Sequence, residues 1–256
     1  MSAPPLPLAD QVALVTGASG AIGSHLAVEL ARRGAHVVAI DLLDTKSVVA
    51  RITSEGGRAI GIEADLRDEV MVNRAFDEAL AWRGRVDVLV NMVGVYYDIP
   101  RVPFWEIDVE VWDDMICSNV RTVFLCCKAA SAPMRQAGRG RIVNVSSNVS
   151  VFGMVNFMHY VAAKAAVVGM TRSMARELGP FGVAVNAVAP GLVRTPNAVA
   201  ELAPAYLQAI VDGQMLRTPI EIGDVVNAVA FLACDESRVV TGQTLLVNAG
   251  AMAGSF

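Results

Sequence analysis

Seven short runs of apolar and β-branched residues recur along the chain: Val12–Thr16, His36–Asp41, Ala59–Ala64, Val86–Asn91, Arg141–Ser146, Val183–Val188 and Thr244–Val247. Between them lie longer stretches with apolar residues at helical spacing, as in Ile22–Arg33 and Val70–Arg83. Runs that are apolar throughout, rather than alternating, belong to strands covered on both faces. Strand followed by helix, repeated, requires parallel pairing through right-handed crossovers. The expected fold is α/β, a single doubly wound parallel sheet of about seven strands. Two further helices are expected over Val109–Gln136 and His159–Leu178. The second is rich in Ala, Val, Met and Gly, and a helix apolar around most of its surface is buried on more than one side, as at a subunit contact.

With 256 residues, one large domain can bury a full core. Apolar residues make up 54% and charged residues 18%, with 21 basic against 25 acidic side chains and a net charge of −4. No Lys/Arg run supplies the basic patch that phosphate neutralisation needs, so nucleic acid is not expected as a partner. No window reaches the ~20 unbroken apolar residues of a membrane span. Met1–Ala9 carries three prolines and no basic residue, and is read as a loose arm over residues 1–10 rather than a targeting segment. Residues 11–256 then form one catalytic domain with a substrate-loop segment at about 192–218. Cys117, Cys126, Cys127 and Cys234 show no CxxC spacing, so neither a disulfide framework nor a metal site is expected. A reducing cytoplasm fits them.

The first strand runs into Gly17-Ala18-Ser19-Gly20-Ala21-Ile22-Gly23. A glycine-rich turn between a strand and a helix lets backbone N–H groups approach a pyrophosphate, as in the Rossmann fold. Asp41 closes the second strand, where a carboxylate accepts hydrogen bonds from ribose hydroxyls and repels a 2′-phosphate. Leu42 and Leu43 follow it, with no arginine, so NAD is favoured over NADP.

Tyr160 and Lys164 are four residues apart, hence on one face of a helix. A free phenol titrates near 10, and a neighbouring ammonium favours the phenolate, which suits Tyr160 as an acid/base toward a hydroxyl or carbonyl oxygen.

With these residues in place the sequence resembles the short-chain dehydrogenase/reductase family from about Gln11 to Gly250. The family's turn matches Thr16 to Gly23, with Ala21 in place of the middle glycine. Its Asn-Asn-Ala-Gly matches Asn91-Met92-Val93-Gly94, its helix asparagine Asn119, and its Pro-Gly motif Ala189 to Thr195. Its catalytic serine matches Ser147, thirteen residues before Tyr160. The resemblance implies catalytic roles for Asn119, Ser147, Tyr160 and Lys164. Ser147 would hold the substrate oxygen and Tyr160 take its proton. Lys164 would lower the tyrosine pKa and pass the proton on, and Asn119 would anchor a relay water.

It places the cofactor on Gly17, Ser19, Gly20, Ile22 and Gly23, on Asp41, Asp65 and Leu66, and on Asn91 and Gly94. Pro190, Gly191, Val193 and Thr195 complete the set, with Tyr160 and Lys164 shared. Met92 and Val93 remove an amide that braces the central strands in the family. Asn248-Ala249-Gly250 replaces the usual Asp-Gly-Gly after the last strand.

The substrate pocket implied by the family draws on Tyr96, Val149, Met154, Phe157, Leu192 and Met215, with Phe152, Leu202 and Tyr206 nearby. Only Arg194 and Arg217 flank it, whereas a carboxylate or phosphate substrate needs a guanidinium. The expected substrate is a neutral, partly apolar secondary alcohol or ketone, in a homotetramer as in most of the family. His159 and the Leu-Val-Arg-Thr after Pro-Gly are similar to bacterial aryl-alcohol dehydrogenases. Two alternatives stand beside this: an NADPH-dependent 3-oxoacyl thioester reductase, and an NAD-binding sensor without turnover.

Overall fold

The computed structural model describes residues 6–94 and 99–251. Its seven strands are β1 (Val12–Thr16), β2 (His36–Asp41), β3 (Arg58–Glu63), β4 (Val88–Asn91), β5 (Gly140–Val145), β6 (Val183–Pro190) and β7 (Thr244–Val247). All pair in parallel in the order β3-β2-β1-β4-β5-β6-β7. Helices α1 (Ala21–Arg32), α2 (Lys46–Ser54) and α3 (Glu69–Arg83) provide the first crossovers. Helices α4 (Val109–Ile116), α5 (Thr122–Ala137), the short α6 (Val149–Phe152) and α7 (Met158–Leu178) follow. Helices α8 (Pro196–Glu201) and α9 (Pro204–Asp212) lie in the segment after β6, and α10 (Ile222–Ala233) precedes β7.

Alternate residues of β1, β2, β4, β5 and β6 serve opposite cores. On one face Ala13, Val15, Val37, Val88 and Val143 join Leu26 of α1 and Val229 of α10. On the other, Val12, Leu14, Val38, Leu89 and Ile142 join Phe76 of α3, Met134 of α5 and Val167 of α7. Each such Val, Leu, Ile, Phe or Met side chain, fully withdrawn from water, contributes roughly 1.5–3 kcal/mol. Two coverings, one per face, are why these strands read as continuous apolar runs.

Two expectations are corrected. The arm is not loose over residues 6–10: Leu8 is fully buried in the first core, and its N–H donates to the Arg33 carbonyl (2.9 Å). The expected helix Val109–Gln136 is broken by a π-helical turn over Cys117–Arg121. Asn119 causes this: its side-chain Nδ2 donates to the Met115 carbonyl (3.2 Å), the acceptor a regular helix would give to the Asn119 backbone N–H.

Candidate active site

The carboxyl ends of the parallel strands open into one continuous cleft of about 960 Å³. Open α/β sheets bind ligands at this edge, where the strand order reverses between β1 and β4.

At one end of the cleft, the β1–α1 turn is built by its glycines. Gly17 has φ +66°, and a Cβ there would press on the Val93 backbone (3.1 Å). A Cβ on Gly23 would collide with the Gly17 carbonyl, so helix and turn can meet only with glycine. Among the described residues no side chain caps α1, and its first turn holds no acid, so its first N–H donors are left to the cleft. Thr16 Oγ1 accepts from the N–H of Met92 (3.1 Å) and Val93 (3.4 Å), tying β1 to the segment after β4.

Asp41 is fixed at the end of β2. Its Oδ2 accepts the Ser19 N–H (2.9 Å) and its Oδ1 the Leu43 N–H (3.0 Å), leaving each oxygen a further lone pair for a ribose hydroxyl. Asp65 pairs with Arg67 through contacts of 2.8–3.1 Å, and those hydrogen bonds hold its carboxyl below the usual range. Arg67 also faces Asp114 at 3.5 Å.

Lys164 is fully enclosed in the middle of the cleft wall. Its Nζ donates to the Val145 carbonyl (3.2 Å) and sits 5.6 Å from the Tyr160 ring centroid. Burial pushes its ammonium down to about 8. Tyr160 and Lys164 fall on the buried face of α7, as their spacing requires. Phe157 supports the Tyr160 ring from below at 4.9 Å. Ser147 leaves β5 beside them and its Oγ accepts the Val149 N–H (3.4 Å), while Ser146 turns inward to the Lys164 carbonyl (2.8 Å). The π-turn delivers Asn119, whose Oδ1 is buried and has no partner among the described residues.

The end of β6 and the segment leading into α8 close the far side. Thr195 caps α8, accepting from the Ala198 N–H (3.2 Å), beside Pro190, Gly191 and Val193.

A sequence profile for a family described as enoyl-(acyl carrier protein) reductase matches residues 17–252. The chain belongs to the short-chain dehydrogenase/reductase family. It is 41% identical over 247 residues to the cis-4-hydroxycyclohexanecarboxylate dehydrogenase of Sinomonas cyclohexanicum, covering 94% of this chain and 96% of that one. It is 37% identical over 246 residues to the 3-oxoacyl-[acyl-carrier-protein] reductase FabG of Staphylococcus aureus, covering 93% and 96%. A solved structure from Sinorhizobium meliloti 1021, assigned as a short-chain alcohol dehydrogenase, superposes with a TM-score of 0.89 at 30% identity, covering 97% and 98%.

In this short-chain dehydrogenase/reductase most of the residues expected at the site do line the cleft. They run from Gly17, Ser19, Gly20, Ile22 and Gly23 through Asp41, Asp65, Leu66 and Gly94 to Ser147, Tyr160 and Lys164. Pro190, Gly191, Val193 and Thr195 line it too, as do Val149, Met154 and Leu192 on the substrate side. Five expected residues lie elsewhere, one of them Leu202, which ends α8. Asn91 is buried in the sheet, where its Nδ2 donates to Asn144 Oδ1 (2.8 Å) and so braces β4 to β5. Asn119 stands behind the cleft wall rather than on it. Phe157 is beneath Tyr160 and fully covered, and Met215 is exposed against Gly250. Tyr96 falls outside the described residues.

Sequence reasoning missed Arg67, Asn197, Ala209 and Ile210 as cleft residues. Tyr206, Ala209, Ile210 and Gly213 repeat at helical spacing, which was a usable signal. Arg67 had none, because its place depends on Asp65 and Asp114 meeting across the fold.

Proposed function

We propose that the enzyme transfers a hydride between NAD and a neutral, partly apolar secondary alcohol or its ketone, with Tyr160 as acid/base. The observation carrying the cofactor choice is Asp41, held by two backbone N–H groups at the place where a 2′-phosphate would bring its charge. Arg67 is the cation nearest that end among the described lining residues, and two carboxylates already engage it.

The glycine cradle, the uncapped α1 and the fixed carboxylate fit a nicotinamide dinucleotide. Its pyrophosphate would lie on Gly17 to Gly23, its adenosine on Asp41, Asp65 and Leu66, and its nicotinamide between Gly94, Pro190, Gly191, Val193 and Thr195. When bound it supplies the hydride acceptor; the protein's part is orientation and proton movement. Ser147 hydrogen-bonds the substrate oxygen. Tyr160 removes the hydroxyl proton, and the nearby Lys164 ammonium favours the phenolate this requires. The unpartnered Asn119 Oδ1 suits a bridging water that carries the proton outward.

The substrate end supports a neutral ligand. Phe152, Met154, Leu192, Tyr206 and Ile210 line it, and the only described basic lining residues are Lys164 and Arg67. The relative named for a hydroxycyclohexane carboxylate supports a ring-borne secondary alcohol, without a matching cation for a carboxylate here. The relative named as a 3-oxoacyl carrier-protein reductase favours a second reading, thioester reduction with NADPH.

A panel of secondary alcohols and ketones, with NAD and NADP, tests both when reduced nicotinamide is followed by absorbance. Turnover of neutral alcohols faster with NAD is expected. Preference for NADPH and a 3-oxoacyl thioester would establish the second reading, and no turnover in either direction would leave a sensor. We also propose a cytoplasmic homotetramer. Small outward residues on α7, Ala165 and Gly169, and exposed Phe231, Val239 and Leu245 near β7 support the assembly. A monomer by light scattering at micromolar concentration would overturn it.

A further inference from the structure

The three residues after β7 touch both ends of the segment that covers the substrate cleft. At its start, the Gly191 N–H donates to the Val247 carbonyl (2.9 Å), and a Cβ on Gly191 would stand 3.3 Å from Asn248 Cα. At its end, the Leu216 N–H donates to the Ala249 carbonyl (2.9 Å). Met215 lies flat on Gly250: a Cβ there would come within 2.7 Å of Met215 Cβ and 2.9 Å of its Cγ.

The turn itself is tightly made. Asn248 Oδ1 accepts the Gly250 N–H (3.0 Å), and the Asn248 carbonyl accepts the Ala251 N–H (2.9 Å). Ala249 and Gly250 both take positive φ, +50° and +75°. Ala251, the next residue, lines the cleft. Between the two anchored ends sits α9, none of whose residues is buried although Tyr206, Ala209, Ile210 and Gly213 face the cleft. A helix so lightly held is positioned by its ends.

We propose that Asn248–Ala251 is the anchor of the substrate lid, and that the bare α-carbon of Gly250 under Met215 sets the height at which α9 closes over the substrate. Gly250 and Met215 are positioning residues: neither touches the reacting atoms. The inference deepens the reading of the cleft as an alcohol site, because it names what fixes the apolar wall of that site.

Two variants test it. Met215→Ala removes the Cγ and sulfur that rest on Gly250 while keeping Cβ, at a position 73% exposed, so the fold is not at stake. Gly250→Ala inserts the methyl that Met215 cannot share. Each should raise the KM for alcohol, by about tenfold for Gly250→Ala, with kcat and NAD affinity held. Hydrogen exchange of peptides spanning 204–218 should quicken in both variants by a larger factor than exchange in the β1, β4 and β5 strands. Unchanged exchange over 204–218 in both variants overturns the anchor whatever the substrate proves to be. A loss of strand protection as large as the loss over 204–218, or a loss of NAD binding, also overturns it, by showing a general structural role. Absence of turnover in the wild type counts against the alcohol reading alone, since the exchange measurement needs no substrate.

Discussion

Lys164 Nζ and Asn119 Oδ1 converge on the same point, the bare α-carbon of Gly94. A methyl placed there would lie 2.8 Å from the ammonium and 2.9 Å from the amide oxygen. Two polar atoms from two helices, one without a partner among the described residues, therefore share a space that only glycine at 94 keeps open. Gly94→Ala should fill it and displace Lys164. Misplacing a catalytic group by about an ångström can cost about 100-fold, so kcat should fall by up to that factor. Kinetics with a fixed alcohol would check this; an unchanged kcat would sever the link between the Gly94 space and the proton path.

Tyr160→Phe keeps the ring that rests on Phe157 and deletes only the hydroxyl. Loss of a general acid/base costs about 10²–10⁴ in rate, so turnover should nearly vanish while NAD binding, followed by quenching of protein fluorescence, stays close to normal. Retained turnover would move the acid/base role elsewhere.

The sheet and most of the residues that line the cleft were legible in the sequence, for a physical reason. Parallel strands buried on both faces leave apolar runs that need no context, and Tyr160 and Lys164 share a helix face through spacing alone. What could not be read depends on side chains that override local pattern. Asn119 breaks its own helix by taking the Met115 carbonyl. Asn91 turns into the sheet toward Asn144 instead of the cleft. Leu8 is fixed by a core assembled from residues far along the chain.

In the proposed function Asp41 carries the preference for NAD through charge. Replacing it by alanine together with Leu42→Arg removes a repelling carboxylate and adds a guanidinium able to grip a phosphate in bidentate fashion. The ratio of kcat/KM for NAD over NADP should fall by about 100-fold, each factor of ten corresponding to about 1.4 kcal/mol. An unaltered ratio would show that selection resides outside this strand end.

Lys164 gives a pH signature to stability. Burial lowers it from 10.5 to about 8, so between those values the unfolded chain holds a proton that the folded protein has released. Stability then rises with pH across that window, and below pH 8 the full penalty of burying the ammonium persists. In the cofactor-free protein, wild type should gain on Lys164→Met between pH 8 and 10.5, by at most about 1.4 kcal/mol per unit. Urea unfolding of both proteins over this range measures it, and a flat difference would contradict a buried, titrating Lys164.

Ala249 occupies the left-handed region at φ +50°, where the family's usual residue is glycine. An L side chain there costs about 1–2 kcal/mol, and glycine returns roughly 0.4–1 of that through the freer unfolded chain. Ala249→Gly should therefore stabilise the enzyme by about 0.5–1 kcal/mol, or roughly 2 °C in Tm for a domain of this size. The backbone carbonyl that holds Leu216 survives the change, so the KM for alcohol should not move. Gly250→Ala, at φ +75° and under Met215, should lower Tm as it raises KM. Opposite signs at adjacent residues would separate backbone strain from lid height. If Ala249→Gly were destabilising, the contacts made by its methyl would outweigh the strain.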